Sequence, residues 1–350
     1  MSASPPGASP GNLLQRIALI GFGEAGSILG ADLVVAGCDV SMYDILLDDA
    51  PSRATMLARA ERAHVRPALS FAAAVSGAEL VISAVTASSS GDVAALAGEH
   101  LGAGQIFLDI NSVSPGKKQS SCRLVQASGA QYVESAVMAP VPPYRLKVPM
   151  LLGGVNAAQV ADQLTRLGMS AKAISTEIGV VSAVKMCRSV IIKGIESLAV
   201  ESMFAARHFG AEGQVLASLN QTFPGMGWDK ELPDYLISRV AEHGRRRAAE
   251  MREVARTLHD AGFEPTMANA IAAGQDALVD AMEQAGLPYS KDEKFSWRAL
   301  ADALASGAIR DSSTGGGSQS APVHPGAGDA GGIENSAAAG ANRSGKKAMT

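Results

Sequence analysis

Near the start of the chain, the apolar run Ile17-Ala18-Leu19-Ile20 leads into Gly21-Phe22-Gly23-Glu24-Ala25-Gly26, a G-x-G-x-x-G pattern. A helical pattern of Ile28, Leu29, Leu33 and Val34 follows, and Gly37 ends it. This spacing suits a phosphate cradle. Gly21 permits a tight turn off a strand, and Gly23 lets the backbone approach a pyrophosphate. Gly26 lets the helix pack closely, so that free N–H groups at its start meet the anion. Glycines also end strands for plain turn reasons. Here, however, a second short strand, Val40 to Tyr43, ends in Asp44, where an acid accepts from the hydroxyls of an adenosine ribose. A carboxylate there repels a 2′-phosphate, and the apolar Ile45-Leu46-Leu47 follows, so NAD is expected, with NADP the second choice. Arg53 would alter that choice if its loop folds back. Gly21, Phe22, Gly23, Glu24, Ala25, Gly26 and Asp44 are thus candidate cofactor contacts, joined by Val85 in a later turn and by Asn111.

Three further segments carry chemistry. In Asp109-Ile110-Asn111-Ser112-Val113-Ser114-Pro115, Asn111 and Ser112 have the polarity to bond a nicotinamide, a ribose or a substrate. Ser114-Pro115 reads as a helix cap followed by proline at the first helical position, and a plain turn accounts for Asn111-Ser112 as readily as a site does. In Glu134 to Pro143 a strand enters a stiff proline-rich loop that contains Met138. Such a loop either shapes a substrate pocket or turns an interdomain corner. In Gly179 to Ser189, Lys185 stands among apolar neighbours near the second turn of a long helical pattern. A lysine there is costly unless its head reaches a polar cavity. A helix start and an oxidised nicotinamide would both lower its pKa, which makes it a general base near neutral pH. The competing reading is a lysine that snorkels to the surface. Arg188 lies one helical turn further on and Lys193 two turns, so both can share a cleft with Lys185. Arg188 either clamps an anionic group bidentately or pairs with the first domain. Ser112, Met138, Arg188 and Lys193 are the candidate substrate contacts.

The elements that must position these residues are legible in outline. Strands are predicted at Arg16–Gly21, Asp39–Tyr43, Leu80–Ala84, Ile106–Asp109, Gln131–Val137 and Val148–Gly153. Helices are predicted at Ala25–Ala36, Ala50–Ala63, Gly91–Ala97, Ser114–Ser128 and Ala157–Leu167. That alternation implies a mostly parallel, doubly wound α/β domain of Rossmann type over residues 14–176, with ligands at the carboxyl ends of its strands. An all-α domain over 177–310 is opened by one long helix, Gly179 to Phe209. Shorter helices follow at Gln214–Gln221, Asp234–His243, Arg245–Ala261, Thr266–Met282 and Ser296–Ala305. Residues 1–13 and 311–350 read as a disordered lead and a Gly/Ala/Ser tail. Trp228 and Trp297 are expected to be packing residues. The run Arg245-Arg246-Arg247, with Glu250, Arg252, Glu253 and Arg256, suits helix-surface ion pairs or an interface, with a substrate-anion role as the alternative.

The 350 residues are 47% hydrophobic, which suits two globular domains, and the net charge of −4 gives no general reason to bind nucleic acid. No stretch reads as a membrane span. Cys38, Cys122 and Cys187 lack metal-type spacing and read as buried, reduced thiols of a cytoplasmic protein. No metal site is expected.

Together these residues resemble the β-hydroxyacid dehydrogenase family, related to 6-phosphogluconate dehydrogenase. The family's G-x-x-x-x-x-K pattern appears as Gly179 through Lys185, which puts Lys185 in the place of the catalytic lysine. Its D-x-[ST]-type segment appears as Asp109 to Pro115. The resemblance implies hydride transfer between a nicotinamide and the hydroxyl or carbonyl carbon of a small, anionic, hydroxy-acid-like substrate, in a homodimer. Two places depart from the pattern. Arg188 and Ser189 stand where the family has Asn, and Met138-Ala139-Pro140 replaces Ser-Gly-Gly. Both places contact substrate in the family. The segments around Lys185 and His243–Met251 resemble a little-characterised branch with its own C-terminal helical domain. An imine reductase-type enzyme and a non-catalytic dinucleotide-binding regulator are the alternatives. The lysine argues against both.

Overall fold

The computed structural model describes residues 14–314, so the predicted lead and residues 315–350 of the predicted tail lie outside the described residues. From the N-terminal side, strands and helices alternate: β1 Arg16–Ile20, α1 Glu24–Val35, β2 Asp39–Tyr43, α2 Ala50–Arg62, β3 Arg66–Pro67, α3 Phe71–Val75, β4 Leu80–Ser83, α4 Ser90–His100, β5 Ile106–Asp109, α5 Pro115–Gln126, β6 Gln131–Val137, α6 Val141–Tyr144, β7 Met150–Gly153, α7 Ala157–Arg166 and β8 Ala171–Ser175. Five helices follow: α8 Val180–His208, α9 Glu212–Thr222, α10 Leu232–Asp260, α11 Thr266–Gln284 and α12 Trp297–Thr314.

The eight strands form one sheet in the order β3-β2-β1-β4-β5-β6-β7-β8. The first six are parallel, β7 runs antiparallel to β6, and β8 runs parallel to β7. Order reverses on either side of β1, so the β1 and β4 ends form the crevice where such sheets bind ligands. Alternate residues of β1 serve opposite faces: Ile17 and Leu19 belong to one core, Ala18 and Ile20 to the other. A sheet covered on both faces accounts for the unbroken apolar character of β1 and β4.

Four differences from the sequence expectations stand out, three of them with a physical cause. The two-residue β3 has no apolar run to reveal it. Strand β8, Ala-Lys-Ala-Ile-Ser, is a half-exposed edge whose small and polar residues give no such run either. The predicted break between two helices at Gly244 does not occur, because α10 runs through it for 29 residues. Gly244 is instead a contact point: a Cβ there would lie 2.6 Å from the Val279 side chain and 2.7 Å from the Gln275 carbonyl oxygen of α11. Finally, α12 continues to Thr314, past the predicted tail boundary at Asp311.

Trp228 and Trp297 are buried in the helical core with Met203, Ile237 and Leu278. Among the described residues no helix is long and apolar enough to cross a membrane.

Candidate active site

The glycine loop begins with Gly21 at φ +87°, in the left-handed region that glycine adopts without strain. A Cβ on Gly21 would lie 2.5 Å from the Ala84 carbonyl oxygen, and one on Gly26 would collide with the Gly21 carbonyl. Gly23 differs, since nothing lies within 4 Å of the place its Cβ would take. Helix α1 starts there with no side chain capping its N-terminus. Two glycines therefore serve packing, while the third leaves bare backbone at a helix start facing open space. This arrangement fits a diphosphate.

Asp44 is at the end of β2, as predicted. Its carboxylate accepts from the Phe22 N–H at 2.7 Å and the Leu46 N–H at 3.0 Å, tying the glycine loop to the second strand. The Arg53 loop does fold back, with Nε donating to the Leu47 carbonyl at 2.5 Å. Arg59, absent from the sequence reading, donates from Nη1 to the Phe22 carbonyl at 3.0 Å. The Arg59 guanidinium thus sits on the same loop residue, Phe22, whose N–H is held by Asp44.

The next layer is a buried polar network. Asn111 Oδ1 accepts from the Val85 N–H at 2.7 Å, and Nδ2 donates to Ser83 Oγ at 2.9 Å. Asn111 is only 5% exposed. Its amide is engaged on both sides inside the protein, so it fixes the Val85 turn. Below it, Asp109 accepts from Tyr132 Oη at 2.7 Å and pairs with Lys118 Nζ at 2.8 Å. Burial, then Asp109, pushes the Tyr132 phenol well up, so it remains a donor. Neither Lys118 nor this triad was legible from spacing.

Helix α8 is aimed by a residue that spacing alone assigns no role. Glu134 is completely buried on β6, and its carboxylate caps the helix. Oε1 accepts from the N–H groups of Gly179 (2.7 Å) and Val181 (3.2 Å), and Oε2 from Ser182 Oγ at 2.9 Å. A carboxylate on free N–H groups at a helix start is favourable twice, through hydrogen bonds and through the helix dipole. An acid in the middle of a strand that is otherwise buried from Tyr132 to Ala136 was the available signal.

From that fixed start, Lys185 reaches Ser112: Nζ donates to Ser112 Oγ at 2.5 Å. A lysine of the helical half thus meets the sheet's ligand edge, two candidates 73 residues apart in sequence. Burial lowers the Lys185 pKa to about 8; Glu250 opposes this, while Lys193, Lys118 and Arg246 add to it.

The remaining candidates are placed differently. Lys193 is buried and paired with Glu250 at 2.7 Å, so its ammonium is occupied within the protein. Arg188 is exposed, and its guanidinium makes no hydrogen bond or ion pair among the described residues. Met138 is half-buried just past the end of β6, its N–H donating to the Pro149 carbonyl at 2.9 Å. The arginine run separates into three roles. Arg245 reaches Asp276 and Glu283 of α11, Arg246 pairs with Glu250 at 2.8 Å, and Arg247 is buried against Glu196 of α8. Cys38 and Cys122 are buried, but Cys187 is exposed, contrary to expectation.

The fold is that of a protein with an NAD-binding domain of the 6-phosphogluconate dehydrogenase type, followed by a helical C-terminal half. Residues 16–142 match the model of the NAD binding domain of 6-phosphogluconate dehydrogenase, and residues 206–278 match a domain of unknown function, DUF1932. The chain is 35% identical to a conserved hypothetical protein from Sinorhizobium meliloti 1021, covering 84% of this chain and 97% of that one, with a TM-score of 0.66. It is 30% identical to MTH1747, a conserved protein of unknown function described as structurally similar to 3-hydroxyacid dehydrogenases. That match covers 77% of this chain and 98% of the other, with a TM-score of 0.61. The fold is also that of Mycobacterium tuberculosis 3-hydroxyisobutyrate dehydrogenase, at 16% identity, TM-score 0.62, and coverage of 83% and 99%. The chain belongs to the family that joins this NAD-binding domain to a DUF1932 domain.

Proposed function

We propose that the protein is an NAD-dependent oxidoreductase acting on the hydroxyl or carbonyl carbon of a small, anionic, hydroxy-acid-like molecule, with Lys185 as general acid and base. The observation that carries this reading is the 2.5 Å contact between Lys185 Nζ and Ser112 Oγ at the carboxyl edge of the sheet. The backbone at Gly23 and the start of α1 would hold the dinucleotide diphosphate. When bound, the nicotinamide supplies the hydride acceptor or donor. Lys185 as the amine takes the proton from the substrate hydroxyl; as the ammonium it returns that proton to the carbonyl oxygen. Ser112 holds Nζ in place, and Asn111 fixes the turn beside it. Arg188, exposed one turn from Lys185, binds the anionic group, and Met138 borders the substrate.

Asp44 supports NAD as the preferred cofactor, while Arg59, which contacts the same glycine-loop residue Phe22, supports acceptance of NADP. Exposed apolar residues along α8, among them Val184 (41%), Ile191 (63%) and Leu198 (59%), support a homodimer. Free thiols support a reducing, cytoplasmic setting. The test is a screen of 3-hydroxy acids, sugar acids and aryl diols for NADH formation, repeated with Lys185→Ala. Turnover by the native chain and a loss of roughly 10²–10⁴-fold in the variant are expected. Unchanged turnover in the variant would remove Lys185 from the mechanism.

A further inference from the structure

The mechanism above leaves unused a charge cluster beside Lys185, buried at Lys193 and open to solvent at Arg246. Lys185, Ser189 and Lys193 recur every four residues along α8, and therefore lie on one side of it. Opposite them, Arg246 and Glu250 lie one turn apart on α10. Glu250 is the centre of this group. Its Oε2 is 2.7 Å from Lys193 Nζ, its Oε1 is 2.8 Å from Arg246 Nη1, and its side chain is only 16% exposed. Lys193 Nζ also lies 3.3 Å from Ser189 Oγ. The charges that face Lys185 come from every element around it: Lys118 from α5, Lys193 from its own helix, and Arg246 and Glu250 from α10. Lys118 is already matched by Asp109 at 2.8 Å. Lys193 and Arg246 are matched by a single carboxylate between them.

We propose that Glu250 is the positioning residue of Lys185: by neutralising Lys193 and Arg246 it keeps the Lys185 ammonium on Ser112, where it is available for proton transfer. This rests on the reading of Lys185 as the general acid and base. Two cations left unmatched in a partly desolvated cleft repel a third. Without the carboxylate, Lys185 either gives up its proton at lower pH or leaves the Ser112 contact. Burial opposes ionisation of Glu250, yet Lys193, Arg246 and Lys185 together hold its carboxyl down at about 2. The carboxylate is therefore present throughout the working range.

At Glu250 the cluster makes a prediction whose sign a purely structural role does not share. Glu250→Gln keeps the shape and removes the anion, so the Lys185 midpoint falls. Lys193→Met removes a cation and frees Glu250 toward Lys185, so the midpoint rises. Simple loosening of the helix pair would wet Lys185 and return it toward an ordinary lysine, raising the midpoint in both variants. The midpoint is measurable without a substrate: the full-length protein is pulse-labelled with acetic anhydride from about pH 6 to 11, and the Lys185 peptide is quantified by mass spectrometry. Glu250→Gln is expected to lower the midpoint by about one pH unit, which gives roughly fivefold faster Lys185 labelling at pH 7. Glu250→Asp is expected to restore most of the native value. A midpoint that is unchanged or raised in Glu250→Gln overturns the proposal. If circular dichroism shows that this variant does not fold, Lys193→Met decides together with amide hydrogen exchange of α8: a raised midpoint with native protection supports the proposal, while an unchanged or lowered midpoint, or a rise accompanied by lost protection, overturns it. Because labelling needs no turnover, this result is separate from the Lys185→Ala activity test.

Discussion

At Lys185 the direction of the reaction sets the sign of the pH dependence. Alcohol oxidation needs the free amine, so its rate should rise with pH and level off above about 8, the value to which burial lowers this lysine. Carbonyl reduction needs the ammonium, so its rate should fall through the same region. Initial rates in both directions across the pH range check this, and limbs of the same sign would contradict it. Residues at this scale were unevenly legible. The glycines and Lys185 stood out because each breaks a local rule: backbone freedom in the loop, charge among apolar neighbours in the helix. Asn111 was chosen for its polarity, which it uses to fix the Val85 turn. Lys193 was chosen for its helical spacing, but spacing cannot reveal that Glu250 of another helix already occupies it.

Among the elements, α8 depends most on a single group. Glu134 meets donors of three residues at its start, so Glu134→Ala leaves Gly179, Val181 and Ser182 without that partner. A cost of about 2–4 kcal/mol is expected, since stranded buried donors carry their desolvation cost. Chemical denaturation measures it. A change below about 0.5 kcal/mol, the usual range for surface substitutions, would show that the cap is dispensable. The same variant should weaken catalysis, because the start of α8 sets the position of Lys185. Sequence periodicity found this helix almost to the residue, yet it divided α10 at Gly244. Locally, a glycine between two charged runs reads as a helix end. Only the neighbouring helix shows that the missing side chain lets α10 and α11 approach closely.

Across the whole molecule, the helical half is fastened to the dinucleotide half beside the site. Glu253 of α10, itself buried, accepts from Lys117 at 2.7 Å and from the Ser114 N–H at the start of α5. The elements carrying Ser112 and Lys185 are thereby held together from two sides, by Glu253 and by Glu134. Such long-range ties have no signature in spacing, which is why the order of the two halves was legible and their fastening was not. The apolar stripe on α8 belongs to this scale too. Sedimentation equilibrium should give twice the chain mass, and Ile191→Glu should shift it toward the monomer. A monomer mass at all concentrations would contradict the homodimer.

The central claim is that dinucleotide binding and proton transfer reside in different halves and meet at Lys185. It is tested most directly by measuring cofactor affinity and turnover side by side in Lys185→Ala. The expected result is an NADH dissociation constant within about threefold of the native chain, together with turnover lower by roughly 10²–10⁴-fold. Turnover retained in the variant would contradict the account, as would cofactor affinity lost along with it.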